Sequence, residues 1–324
     1  MDWKNNNTIS NNLPVRKRPG ASMHKSKDMI EFDLDFEEYN ARSGVNASSF
    51  GAIDPDRDGC PAIWNARQEI KEDIEDTAAL SFGRAFHKYC LEFEQFDDEY
   101  VPLTDEKKDE LFNKALANGS KAKGFSKTLT TYKEWKKELS ESGVSIIDES
   151  TYATLERMRK SVNESCKDGI ITDADRETEV SVFVDLKDHR GNKVACKGRL
   201  DLLKPFSRIV DLKTVASASP VALGRFIAKF KLHVQAAFYL DMMQALNDTG
   251  DDAQDMKFAW CFVDKRSPHP CVWYEASDAL IRLGRQEYRS YLGWIHDVRE
   301  SGHWPGHSQM IEFAGWFETL LEEV

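Results

Sequence analysis

The sequence predicts an α/β protein with a mixed central sheet flanked by helices, on three observations. Apolar residues recur at helical spacing through much of the chain up to about residue 168, the period shortens to two between residues 179 and 215, and a long crossover helix then separates those strands from two more strands and a closing helix. Residues 1 to about 27 carry a net charge of +5, and the next eleven contain six acids and no base, so a disordered basic tail running into an acidic lead-in is expected over 1–38. Compact structure is expected from Tyr39. From Ala78 to Phe93, Phe82, Phe86, Tyr89 or Cys90 and Phe93 form one buried stripe, with Gly83, Arg84 and His87 beside it. Residues 104–168 read as a charged helical insertion with a loop at Asn118-Gly119-Ser120. Strands follow at 179–184, 194–203 and 209–215, separated by the turn-forming stretches Lys187–Asn192 and Lys204–Arg208. After Ser219-Pro220 the residues Phe226, Phe230, Val234, Phe238 and Met242 lie four apart, which predicts one long helix with Lys231, Gln235, Tyr239 and Met243 on the neighbouring row. Strands at 258–263 and 271–274 and a helix over 278–299 complete a single domain spanning 39–300, with 301–324 as a C-terminal extension.

At 324 residues and 41% hydrophobic content the chain can bury a substantial core. No apolar run approaches eighteen residues and the first residues do not read as a signal peptide, so a cytoplasmic protein without a membrane partner is expected. Six scattered cysteines at no metal-binding spacing read as reduced core thiols, without a zinc or iron–sulfur centre. The net charge of −11 argues against a protein that coats nucleic acid with its whole surface. Residues 195–235, however, hold eight bases and two acids, a local +6 on a body that otherwise carries −17. Such a strip suits a polyanion held in a cleft; the bland alternative is chance clustering on a solvated helix.

Two apolar strands each carry an aspartate where an aliphatic side chain would pack better: Arg199-Leu200-Asp201-Leu202-Leu203 and Ile209-Val210-Asp211-Leu212-Lys213. A buried carboxylate needs a cation, a hydrogen-bond network or a metal to face. Asp211 and Lys213 share a strand face, antiparallel pairing brings Asp201 alongside, and Glu179 offers a third acid at the start of the first strand. Glu177 is also available there, but Glu179 sits better within the strand. Three carboxylates suit a hard divalent cation that keeps positions open for a phosphate, and Lys213 can orient water or add positive charge to a transition state. The competing reading is an ordinary Lys–Asp ion pair in a sheet.

These residues resemble the D…(D/E)-x-K signature of the PD-(D/E)XK nuclease superfamily, and more closely the RecE-type exonuclease VIII family of phages and prophages. The resemblance rests on Cys60-Pro61-Ala62-Ile63-Trp64, Gly83-Arg84-Ala85-Phe86-His87, Glu179, Asp201, Asp211-x-Lys213 and His233-Val234-Gln235-Ala236-Ala237-Phe238-Tyr239, and spans roughly residues 39–295. It implies a restriction-endonuclease-like core, Mg²⁺ or Mn²⁺ held by His87, Glu179, Asp201, Asp211 and the Leu212 carbonyl, and Lys213 as the catalytic lysine. Gln235 and Tyr239 would face the site and position the scissile strand. Arg84, Arg199, Arg225, Lys229 and Lys231 become the candidate DNA contacts. Without the resemblance, His87 reads as a satisfied histidine beside a helix stripe. The family implies a 5′-to-3′ exodeoxyribonuclease that works on linear duplex ends, leaves 3′ overhangs, assembles into a homo-oligomeric ring and acts beside a single-strand annealing protein. An endonuclease on the same core, or a non-catalytic DNA-binding subunit, are the alternatives. Residues 104–148 match nothing in the family pattern.

Overall fold

The computed structural model describes residues 29–69, 77–166, 175–205, 207–246 and 256–307. Its centre is a six-stranded sheet in the order β1-β4-β5-β6-β7-β8. The strands are β1 (Met29–Glu31), β4 (Glu177–Lys187), β5 (Lys193–Lys204), β6 (Arg208–Val215), β7 (Lys257–Asp264) and β8 (Cys271–Glu275). Only β6 and β7 pair in parallel, because a helical crossover separates them; the other neighbours are antiparallel, so the sheet is mixed as the sequence predicts.

Alternation along the strands feeds two cores. Val180, Val182, Val184, Leu200, Ile209, Phe258, Trp260 and Phe262 join one face, and Leu202, Val210, Leu212, Cys261 and Val263 the other. The first face is covered by α9 (Leu232–Leu246), over which α10 (Asp278–Ser301) packs. Glycine makes both approaches close. A Cβ on Gly198 would lie 3.0 Å from Tyr239 and Met242 side-chain atoms of α9, and one on Gly284 of α10 would lie 2.1 Å from the His233 carbonyl oxygen. The second face is covered by α3 (Ala78–Leu91) and α7 (Glu149–Ser165), with Phe86, Tyr89, Leu155, Met158 and Val162 filling the gap. Thr77 caps α3 by accepting from the Leu80 amide, which fixes the start of the helix that carries His87.

The structure differs from the expectation in three places. The acidic lead-in contributes an edge strand, β1, which pairs with β4 through Ile30↔Val182, and a short helix α1 (Phe36–Ala41), so regular structure is already present ten residues before Tyr39; residues 1–28 of the expected tail lie outside the described residues, as do 308–324 of the C-terminal extension. The 104–168 segment is not wholly helical. Strand β3 (Ser145–Asp148) lies in it, paired in parallel with β2 (Tyr100–Leu103), while α5 (Asp105–Ala117) and α6 (Thr130–Glu141) close a small core around Leu103, Leu111 and Tyr132. The expected long helix is two helices, α8 (Pro220–Phe230) and α9, broken where Lys231 takes a left-handed conformation at φ 53°. Tertiary contact is the reason: Lys231 Nζ is gripped by Asp56 at 2.9 Å, Glu287 at 2.8 Å and Asp54 at 3.6 Å, and Phe230 is left exposed while Val234 is buried. The cysteines are free and mostly buried, as expected; Cys90, Cys166, Cys261 and Cys271, far apart in sequence, gather in or against the second core, with Cys261 and Cys271 Sγ atoms 3.4 Å apart. Among the described residues no helix is long and apolar enough to cross a membrane.

Candidate active site

Strand register brings the three acids into one row. The β4–β5 ladder pairs Thr178 with Leu202 and Val180 with Leu200, which sets Glu179 opposite Asp201. The β5–β6 ladder runs from Lys204↔Arg208 to Leu202↔Val210 and ends there, at the step where Asp201 and Asp211 would pair next. Beyond that point a side chain replaces the backbone acceptor: Asp201 Oδ2 takes the Leu212 amide at 2.8 Å. The sheet therefore splays at the row of acids, opening a notch between β5 and β6. Glu179 adds its own distortion, with φ at 51°, a conformation that costs a non-glycine residue on the order of 1 kcal/mol and concentrates at functional sites.

Two further elements, α3 and α9, close the notch together with Lys213 of β6. From α3, His87 Nε2 lies 2.6 Å from the Leu212 carbonyl oxygen and its Nδ1 lies 3.6 Å from Asp201 Oδ2. From β6, Lys213 Nζ donates to Asp211 Oδ1 at 2.6 Å, and from α9 Gln235 Nε2 donates to the same oxygen at 3.2 Å. Tyr239, one turn further along α9, is buried beside the strands and in hydrogen-bond contact with Gln235. Arg199 Nε donates to Glu179 Oε2 at 2.7 Å and its Nη1 to the Leu34 carbonyl at 2.8 Å, which holds the Glu179 carboxylate in place.

The electrostatics are those of crowded acid in a dry place. Burial first, and Asp201 second, push the Glu179 carboxyl up, against the pull of Arg199. Burial raises Asp211 to about 6, although Lys213 opposes it. Burial acts to lower Lys213, but Asp211, Asp201 and Glu179 together outweigh it and hold the ammonium above its ordinary range. Asp211 is 2% exposed and, among the described residues, its Oδ2 accepts no hydrogen bond. A buried carboxylate oxygen left without a donor is what a hard cation would satisfy. The ligand atoms of His87, Glu179 and Asp201 also lie within 4.8 Å of one another. The donor set, carboxylate oxygens with one imidazole and a nearby main-chain carbonyl, fits a divalent metal ion.

The structure thus brings His87, Glu179, Asp201, Asp211, Leu212, Lys213, Gln235 and Tyr239 to one notch. It divides the predicted DNA contacts. Arg84 on α3, and Arg225 and Lys229 on α8, lie on exposed helix surface. Arg199 and Lys231 do not: the first is spent on Glu179 and Leu34, the second on Asp54, Asp56 and Glu287. Lys197 of the same basic strip is buried as well, its ammonium donating to the carbonyls of Tyr39, Asn40 and Arg42 at the end of α1. Much of the local +6 therefore serves the fold. The part that sequence reasoning missed is Arg199 as the positioning residue of Glu179. The signal was present, since Arg199 pairs across the ladder with Ser181, which puts Glu179 on its diagonal.

A splayed strand pair carrying Asp201, Asp211 and Lys213, with an acid from the strand before and a helix over each face, defines a nuclease core of the PD-(D/E)XK kind. Residues 48–315 match the family model described as "PDDEXK-like domain of unknown function (DUF3799)", and the chain belongs to that family. Among solved structures it is similar to a "Putative exonuclease" from Eubacterium rectale, at 14% identity and TM-score 0.54, over 90% of this chain and 99% of that one. At that identity the likeness concerns the fold. A second structure, of SSO0001, is 18% identical over 56% of this chain and 84% of its own, and its TM-score of 0.25 carries no weight. No curated protein matches the chain.

Proposed function

We propose that this protein is a Mg²⁺-dependent exodeoxyribonuclease, active also with Mn²⁺, that degrades one strand of linear duplex DNA from its 5′ end and leaves a 3′ overhang. The observation that carries the reading is the single row Glu179–Asp201–Asp211 with Lys213 beside it and one Asp211 oxygen unsatisfied. Membership of a PDDEXK-like family and the fold shared with a protein named as an exonuclease support it.

Glu179, Asp201, Asp211 and the Leu212 carbonyl would hold the cation, with His87 at its side. When bound, the cation supplies Lewis acidity at the scissile phosphate and acidifies a water molecule. The chain's own groups do the rest. Lys213 Nζ, fixed by Asp211, places a positive charge where the attacking water and the phosphate oxygens meet. Gln235 and Lys213 both anchor Asp211 through Oδ1, which leaves Oδ2 directed elsewhere. Arg199 keeps Glu179 from swinging out to solvent. Arg84, Arg225 and Lys229 contact the DNA backbone, where each neutralised phosphate makes binding salt-dependent.

The RecE-type assignment, a homo-oligomeric ring, a single-strand annealing partner and a role in recombination belong to the same proposal. A ring would gather exposed bases inward and leave an acidic exterior. The test is incubation of the purified protein with closed circular and with end-labelled linear duplex, with Mg²⁺ and with EDTA. Mononucleotide release from 5′-labelled linear DNA alone, and only with metal, is expected. Nicked or linearised circles would instead identify an endonuclease on the same core, and no cleavage of either would identify a binding subunit.

A further inference from the structure

The edge of the notch carries an aromatic ring, Phe36, that the chemistry above does not use. Residues 32–36 form an elbow between β1 and α1. Leu34 is its buried pin, and the Leu34 carbonyl takes Arg199 Nη1 at 2.8 Å. Asp33 turns the chain with φ at 61°, and Asp35 Oδ1 accepts the Glu37 amide at 2.7 Å and the Glu38 amide at 3.3 Å, which fixes the start of α1. On either side of the pin, Phe32 and Phe36 project outward, 38% and 56% exposed. Scattered exposed apolar side chains are ordinary; a phenylalanine held outward by a hydrogen-bonded elbow and tied to the row of acids through Arg199 is less so.

One guanidinium joins the elbow to the site. Arg199 Nε contacts Glu179 Oε2 at 2.7 Å, and its Cζ lies 5.7 Å from the Phe36 ring centre. The Phe36 ring stacks on Tyr39 at 6.4 Å and 23°, and Tyr39, buried beneath, is close enough to feel Tyr239. The exposed Phe36 ring is thus backed by a buried tyrosine rather than standing free.

We propose that Phe36 is the platform on which the terminal, unpaired nucleobase of the attacked strand stacks while the adjoining phosphodiester lies at Asp201 and Asp211. A nucleobase is an uncharged π-face, and base–aromatic stacking is indifferent to sequence, as an end-degrading enzyme requires. Charge on the elbow sharpens the choice. Glu31 and Glu38 are each held by Arg42 at 2.7 Å, while Asp33, Asp35 and Glu37 add negative charge around the rings. A duplex laid across this lip would press the phosphates of both strands against those acids, whereas a base splayed from its partner can stack while its own phosphate turns away toward the row of site residues. The platform therefore selects a single-stranded terminus, and it acts on substrate by position. This inference rests on the nuclease reading and adds the form of the substrate to it.

The experiment places 2-aminopurine at the 5′-terminal position of a linear duplex and follows its fluorescence with Ca²⁺ in place of Mg²⁺, so that binding is read without cleavage. Wild-type protein is expected to quench the probe by stacking. Phe36→Leu, which keeps apolar bulk and removes the π-face, is expected to lose the quench and weaken end binding about 5- to 100-fold at an unchanged melting temperature. Phe36→Trp is expected to restore both. Equal quenching and equal Mg²⁺-dependent degradation by wild type and Phe36→Leu would overturn the platform and leave the nuclease reading standing. A wild type that neither binds nor cuts the duplex would overturn both.

Discussion

Replacing Asp211 by Asn should stabilise the metal-free protein while destroying its response to metal. Asp211 is buried at the row of acids, and its carboxyl is raised from the ordinary range near 3.9 to about 6. A folded-state value above the unfolded one means that the folded protein holds this proton more tightly. The penalty for ionisation is then absent below pH 4, grows as pH rises through the window from 4 to 6, and is complete above it. Two pH units correspond to roughly 3 kcal/mol, an upper figure because the site relaxes. Asn keeps the shape and still accepts from Lys213 and Gln235 through its oxygen, so Asp211→Asn recovers part of that penalty, on the order of 1–3 kcal/mol at pH 7.5. For a chain of this size the melting temperature should rise by about 2–6 °C in EDTA. The assay is thermal unfolding of both proteins from pH 4.5 to 8, without metal and across an Mg²⁺ or Mn²⁺ titration. The gap should shrink to about a third by pH 4.5, wild type should gain stability on adding metal, and the variant should gain little. A variant less stable than wild type at pH 7.5, or one that metal stabilises equally, would refute the reasoning.

Other substitutions separate chemistry from scaffold. Lys213→Ala should slow release of labelled mononucleotide by at least about 100-fold, while metal still raises the melting temperature; cleavage retained in gel assays would remove Lys213 from the mechanism. Asp188 accepts from the Arg190 and Asn192 amides, both at 2.8 Å, and its carboxyl is held at about 2. That stability is present above the unfolded value near 3.9 and fades as pH falls toward 2. Asp188→Ala should therefore cost about 2–4 kcal/mol in urea unfolding at pH 7, with a smaller difference at pH 3. Gly284→Ala places a methyl against the His233 carbonyl and should cost about 3 kcal/mol or more by the same measurement. Gly198→Ala, which meets side-chain atoms of Tyr239 and Met242 at 3.0 Å rather than backbone, should cost less.

The strands around Asp201 and Asp211 were legible because a charge in an apolar strand of period two is expensive and so needs a purpose. The shared row followed from register, which the turn at residues 204–207 sets. The break at Lys231 was not legible, since Phe226, Phe230 and Val234 keep helical spacing across it and lysine carries no preference for a left-handed backbone. Asp54, Asp56 and Glu287, distant in sequence, impose it. β1 and β3 were hidden for a related reason: strands of three and four residues among charges have no periodicity to read. The same limit misled the reading of the basic strip. Lysine and arginine look alike whether they meet DNA or, as with Lys197 and Arg199, a helix end and a carboxylate.

The central claim is that these acids share one cation, and anomalous scattering from crystals grown with Mn²⁺ measures that directly. A manganese peak within coordinating distance of Asp201 and Asp211 carboxylate oxygens, lost in Asp211→Asn crystals, is the predicted result. Manganese bound only at sites remote from this notch would contradict the account.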